Sequence, residues 1–298
     1  MQTKIPPRST MRLTRRGRLV LVVAGAVMVG TAVAVPLLTL NTRPEEIQPA
    51  ALVVPEGRRA SQVYDAIDKA LELPSGSTRK SVGKAGLKLP SEAAGNPEGY
   101  LFPATYPVPK GATPEFLLRS MVGTANSMVN AAPISAGAQR SAMNVYQAVT
   151  IASIIQAEAA TKADMGKVAR VVFNRLERGM PLQMDSTTNY ALNRSTVHTS
   201  QDDTRIDSPY NSYRRTGLPP TPIDNPGEEA MRAALDPAPG NWLYFVTVKP
   251  ADTRFTSDYA THIRDVADFN ALHEDAGQGR SPSRRPVRSA ASPRAAVR

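Results

Sequence analysis

MNVYQAVTIASIIQAEAAT, residues Met143–Thr161, contains neither proline nor glycine. Its apolar residues Val145, Ala148, Ala152, Ile155 and Ala159 recur every three to four positions, the spacing of one face of a helix. On a wheel centred on Ile155, Glu158 falls on the flank occupied by Ile151, before Ile154, at the edge of the apolar stripe. It is the only charged side chain between Arg140 and Lys162. A carboxyl held against apolar neighbours has its charged form disfavoured, and its pKa rises. Such a group suits general acid chemistry near neutral pH. The plainer reading is a solvated Glu on an alanine-rich helix. The rest of the chain has to separate the two.

Outward from this helix, Ala163–Arg178 repeats the pattern with Val168, Val171, Val172 and Leu176, and Gly179 reads as its C-cap. Leu182–Thr187 reads as a loop entering a short helix that runs through Ala191, with Asp185 or Ser186 as its cap. Asn193–Ser208 is polar loop. Tyr210–Tyr213 (YNSY), Gly217–Pro220 (GLPP) and Ile223–Gly227 (IDNPG) are turn-forming. Pro226 and Gly227 lead into a helix over Glu228–Leu235, whose first turn carries two acids, as the helix dipole favours. Trp242–Val248 reads as a strand, and Asp258–Leu272 as a final helix. In the other direction, Thr113 caps a helix through Glu115–Asn130. Leu52–Val54 is strand-forming, Ser61 caps a helix over Gln62–Leu71, and Ser75–Gly95 reads as loop. Glu98–Pro109 (EGYLFPATYPVP) is too rich in proline for a regular central strand. Its rings either plug the interior or form a wall for sugar stacking.

The 298 residues allow one or two domains. Cysteine is absent, which excludes disulfide and thiol chemistry. The net charge of +10 is concentrated at the ends. Six Lys and Arg lie in residues 1–18 and six Arg in 276–298, with no acid in either segment. Without them 24 basic side chains face 26 acidic ones, so no nucleic-acid partner is expected. The uncharged run Leu19–Leu40 follows four Arg and is long enough to span a bilayer. The basic flank keeps the N-terminus cytoplasmic and places everything beyond Leu40 outside. A cleaved signal peptide, with its apolar region at Leu19–Gly30 and a small-x-small site at Ala32–Ala34, is the alternative, and either exports the body.

Together, ASIIQAEA (152–159), VVFNRLERGMPLQMDST (171–187), YNSY…GLPPTPIDNPG (210–227) and WLYFVTV (242–248) resemble, in order and spacing, the YceG-like family of endolytic murein transglycosylases. PEG (55–57) and EGYLFPATYPV (98–108) resemble its N-terminal half. The resemblance implies an α+β chain. It has one N-terminal transmembrane helix, a small LysM-like α/β module, and a mostly helical, lysozyme-like catalytic domain with a small β portion. The corresponding boundaries are 1–18 basic cytoplasmic segment, 19–40 anchor, 41–50 linker, 51–110 LysM-like module, 111–273 catalytic domain and 274–298 disordered basic tail. It implies a membrane-anchored lyase that cuts the MurNAc-β-1,4-GlcNAc bond of peptidoglycan, leaves 1,6-anhydroMurNAc ends and terminates nascent strands. Glycan strands, the cytoplasmic membrane and peptidoglycan synthases are the implied partners.

Many members carry an E-x-E pair on the opening helix; here the first position is Gln156, which leaves Glu158 as the catalytic acid. Gln183, Asp185, Thr187, Asn189, Tyr190, Tyr210, Asn211 and Tyr213 are the candidates for holding the sugar. Asp185 has a further possible role in offsetting positive charge at the reacting carbon. A Glu-His pair frequent near the last helix reads Thr261-His262. Three separated histidines give no metal-ligand spacing, and no cofactor is expected. A non-catalytic wall-binding protein of the same fold is the competing expectation, motivated by Gln156 and Thr261. Binding of acidic wall polymers or lipid by the basic tail is compatible with both.

Overall fold

The structure, a computed structural model, describes residues 50–131, 143–194 and 199–277. The segments 1–18, 19–40 and 41–49, with their expected cytoplasmic, membrane-spanning and linker roles, lie outside the described residues, as does the tail beyond 277. Among the described residues no helix is long and apolar enough to cross a membrane.

The chain mixes helices with two small antiparallel sheets. Strand β1 (Ala50–Val53) pairs with β2 (Thr105–Val108), Leu52 standing opposite Tyr106 and Ala51 opposite Pro107. A proline strand was not expected within 98–109. It is tolerated because both strands of a two-stranded sheet are edges. Between them lies α1 (Ala60–Ala70), which starts one residue before the expected cap. Arg59 takes the N-cap position, with the Gln62 side chain accepting from its backbone N–H, and Ser61 lies inside the helix. The segment expected as loop holds α2 (Ser77–Ser81) and two short 3-10 turns, Val82–Lys84 and Ser91–Ala93. Buried Asp68 on α1 organises it by accepting from Gly76 N at 2.7 Å, Thr78 N at 2.8 Å and Thr78 Oγ1 at 2.6 Å. These contacts replace the periodicity that a loop reading relies on.

Helix α3 (Pro114–Val129) is capped by Thr113 as expected. The opening stretch forms α4 (Val145–Glu158), entered through a capping box of Asn144 and Gln147. Residues Ala148 through Ile155 are all buried, Thr150 and Ser153 with hydrogen-bond partners, so α4 is covered all round and not a surface helix with one buried stripe. It packs against α5 (Lys162–Glu177), α6 (Asp185–Ala191) and α7 (Glu228–Leu235). Gly179 follows α5 in the left-handed region. Strand β3 (Tyr244–Lys249) pairs with β4 (Asp252–Thr256), a strand the sequence reading left out. Helix α8 (Tyr259–Gly277) lies against β3 and is tied to β4 by Arg254, which reaches Asp265 at 2.9 Å and Asp268 at 2.7 Å. It runs through residues assigned to a disordered tail from 274, because no breaker precedes Gly277.

One contiguous core runs from Leu52 to Leu235. The 98–108 segment contributes Tyr100, Leu101 and Tyr106 to it, and Tyr100 stacks on Tyr146 with centroids 6.3 Å apart. Those rings therefore fill the interior and form no sugar wall. Buried Asn225 is a hydrogen-bonding hub between the N-terminal part and the rest. Asn225 donates from Nδ2 to Arg58 O at 2.7 Å, and its Oδ1 accepts from Leu101 N at 2.7 Å. The backbone of the Pro55–Arg58 turn meets it twice more, through Gly57 N to Asn225 O and Asn225 N to Arg58 O. This hub brings Glu56, Gly57 and Arg59 to the mouth of the same cleft as the end of α4.

Candidate active site

The cleft has a volume of about 1150 Å³ and is bounded by the end of α4, the 182–189 segment, the 55–59 turn, Asp224, β3 and α8. Glu158, the last residue of α4, sits in its lining, partly exposed. Ser186 donates to Glu158 Oε1 twice, from its backbone N–H at 3.1 Å and its hydroxyl at 2.6 Å. Oε2 makes no hydrogen bond to the described residues. Burial raises the Glu158 pKa above the ordinary carboxylate value. The two bonds from Ser186 oppose this, and the nearby Asp185 carboxyl adds to it. The acid is thus fixed through one oxygen while the other keeps no partner among the described residues, and its charge is felt by Tyr213. Ser186 was expected as a helix cap. Met184 holds the N-cap position instead, with no side-chain cap bond, and Ser186 is free to orient Glu158.

Asp185 also lines the cleft and is held by the Tyr213 hydroxyl at 2.5 Å. Burial and this carboxyl together push the Tyr213 phenol well above its usual pKa, so it stays a donor. Gln183 and Asn189 line the cleft too. Gln183 adopts a positive φ of 53° and accepts from Arg175 Nη1 at 3.0 Å through its Oε1. Asn189 Oδ1 accepts from Arg194 Nε at 2.8 Å.

The other four candidates are not in the cleft lining. Thr187 is buried and bonds Met184 O at 2.7 Å and Ser212 Oγ at 2.8 Å. Asn211 is buried and ties down its loop by donating to Thr204 O and Ile206 O. The Tyr190 hydroxyl donates to Glu98, and its ring packs on Tyr210 at 5.0 Å and under Arg59. The Tyr210 hydroxyl pairs with Thr221 Oγ1 at 2.9 Å. These side chains shape the wall from behind, because their polar atoms are already occupied by protein partners.

Several contributors have no local sequence signal. Arg175, inside α5, is buried and fans out to Leu243 O, Pro181 O, Leu182 O and Gln183 Oε1. It fixes the 181–183 backbone to the start of β3 and stacks its guanidinium over Tyr244 at 5.1 Å. His262 lines the cleft after all, stacked on Tyr244 at 5.0 Å, and burial beside Arg175 lowers its pKa. Tyr244, Phe245, Tyr259 and Phe269 complete the apolar and aromatic side of the cleft, opposite in chemistry to the carboxyl side. Behind the wall, buried Glu98 accepts from Ala60 N at 2.8 Å, Tyr190 Oη at 3.1 Å and Asn225 Nδ2 at 3.4 Å. Burial raises its pKa to about 7, against the pull of these donors and Arg59. No group of three or more His, Asp or Glu among the described residues is placed to hold a metal ion.

Comparison with known proteins agrees with this architecture. The chain is 40% identical over 166 residues to the endolytic murein transglycosylase of Bacillus subtilis (strain 168), covering 55% of this chain and 46% of that protein. It is 34% identical over 177 residues to the endolytic murein transglycosylase of Streptococcus pneumoniae serotype 2 (strain D39), covering 57% and 32%. The chain spans less than half the length of these curated relatives. A crystal structure of a YceG-like protein from Listeria monocytogenes superposes with a TM-score of 0.67 at 31% identity, over 73% of this chain and 76% of that one. The profile of the YceG-like family matches residues 30–268, so the chain belongs to the YceG-like family.

Proposed function

We propose that this chain is a lytic transglycosylase of peptidoglycan glycan strands, with Glu158 carrying the proton in both halves of the reaction. The observation that carries the reading is the Glu158 carboxyl itself. It lines a cleft of about 1150 Å³, is fastened through Oε1 to Ser186, and keeps Oε2 free of hydrogen bonds to the described residues. The relatives named endolytic murein transglycosylases support the substrate class.

In its acid form Glu158 protonates the glycosidic oxygen that bridges MurNAc C1 and GlcNAc C4 as the C1–O bond breaks. The C6 hydroxyl of the same MurNAc attacks C1. The Glu158 carboxylate then takes the hydroxyl proton, which leaves a 1,6-anhydroMurNAc end, a free GlcNAc 4-hydroxyl and the enzyme's acid restored. Ordinary glycosidases need a second carboxyl as base or nucleophile. Here the intramolecular hydroxyl takes that place, and the protein has to hold the ring so that C6 reaches C1. Asp185, fixed by Tyr213, offsets the positive charge that develops at C1. Tyr259, exposed beside the cleft, offers a ring face to the sugar. In the same reading Leu19–Leu40 anchors the chain in the cytoplasmic membrane with the cleft outside. Cleavage there ends elongation of strands delivered by neighbouring synthases.

The test is mass spectrometry of products released from purified peptidoglycan by the full chain in detergent. Anhydro-ended muropeptides are expected. Ends carrying an added water would make the enzyme a hydrolase. Binding without any bond cleavage would favour the wall-binding alternative.

A further inference from the structure

Asp224 is 4% exposed, lines the cleft, and accepts no hydrogen bond at either oxygen from the described residues; its Oδ1 is fully shielded and unpartnered. A buried carboxyl without partners costs about 1–3 kcal/mol. The proposed reaction leaves this one unused. Two neighbours show what it faces. Gly57, at φ +73°, has no side chain, and a Cβ there would lie 3.8 Å from Asp224 Oδ2 and 3.5 Å from Gln156 Cγ. The absent side chain therefore leaves a gap that both the Asp224 carboxyl and the Gln156 side chain border. Gln156 stands two residues before Glu158 and also lines the cleft. Its Oε1 is taken by Gly227 N at 3.0 Å, which leaves the two Nε2 hydrogens as its donors.

We propose that Asp224, Gln156 and the Gly57 gap form a subsite that reads a secondary amide of the bound saccharide, the N-acetyl group of an amino sugar. A planar trans amide points its N–H and C=O in opposite directions. It is complementary to an acceptor on one side and a donor on the other, which is what the carboxyl and the carboxamide supply. Burial and the neighbouring Glu98 hold the Asp224 pKa well above the ordinary carboxylate value, so placing it against a neutral amide requires no burial of an ion. The subsite rests on the glycan reading given above and adds the substituent that fixes how the sugar lies against Glu158.

The test is calorimetric titration of the full chain in detergent with three probes. They are a β-1,4-linked N-acetylglucosamine tetramer, the same tetramer fully N-deacetylated, and a sugar-free stem tetrapeptide. The wild type should bind the acetylated tetramer about tenfold more tightly than the deacetylated one, the worth of one or two hydrogen bonds. Asp224→Ala should lose that preference, and Asp224→Asn, which keeps an acceptor oxygen, should retain most of it. Near-ultraviolet circular dichroism checks that both variants fold. An unchanged preference in Asp224→Ala, or an equal loss for both tetramers, would overturn the subsite. Weakened binding of the tetrapeptide alone would move the amide from sugar to peptide and overturn it equally. Binding is read without cleavage, so failure of the lyase chemistry and failure of the subsite are distinguishable.

Discussion

Glu98 is where pH should act on the fold. Its carboxyl is 4% exposed and accepts the first N–H of α1, the Tyr190 hydroxyl and the Asn225 amide. Arg59 is the charge of opposite sign near it; Tyr64, Tyr190 and Asp224 are titratable groups that feel its charge. Burial lifts its pKa from 4.5 to about 7 despite these donors. A carboxyl whose folded pKa is raised gives relative stability that is fully present below the unfolded value and lost as pH rises through the folded one. The window is therefore pH 4.5 to about 7. Each pKa unit corresponds to about 1.4 kcal/mol, so the group alone costs about 3 kcal/mol of stability on passing from pH 4 to pH 8.5. Glu98→Gln stays neutral throughout and keeps an oxygen for Ala60 N. Urea unfolding of the two proteins at half-unit intervals should show wild type losing about 3 kcal/mol relative to the variant over this range. Parallel stability curves would refute the reasoning, and a relative gain by wild type at high pH would reverse its sign.

Ser186→Ala removes one of the two bonds that hold the Glu158 pKa down against burial. The alkaline limb of the pH–rate profile for glycan cleavage should then move to higher pH; a limb that stays put or moves to lower pH would contradict this. Gly99→Ala should lower stability by about 3 kcal/mol, or about 10 °C in Tm. Gly99 has φ +84°, and a Cβ there would come within 2.6 Å of Pro222 and 2.9 Å of Val149. An unchanged Tm would show that the 98–101 loop is not clamped against α4 as described.

The helices were legible where periodicity and caps agree. Thr113, Gly179 and the Pro226-Gly227 entry each mark a boundary set by nearby residues, whereas the Asn144–Gln147 capping box that opens α4 was not read from the sequence. Glu158 stood out for a similar reason, as a lone charge in an apolar helix. The structure leaves it partly exposed at the end of a helix that is covered on every side up to Ile155. The missed elements depend on distant partners. The turns after α1 form around Asp68, and β2 accepts Pro107 only because its partner strand is also an edge. Ser186 reads locally as a cap but serves Glu158, and Asp224 reads as a turn residue but faces the cleft. The roles of Glu98 and Arg175 are set by groups tens of residues away. Thr187, Tyr190, Tyr210 and Asn211 belong to segments that do form the wall, yet their polar atoms turn inward. Sequence spacing identifies the segment and cannot say which way each side chain points.

The central claim is that one carboxyl moves the proton. The direct measurement is the rate of anhydromuropeptide release by Glu158→Gln beside wild type, read by mass spectrometry, with Tm recorded for both. The account predicts a loss of about a hundredfold or more at an unchanged Tm, since the amide keeps its shape but cannot donate and retake a proton. Release at the wild-type rate by the folded variant would contradict it.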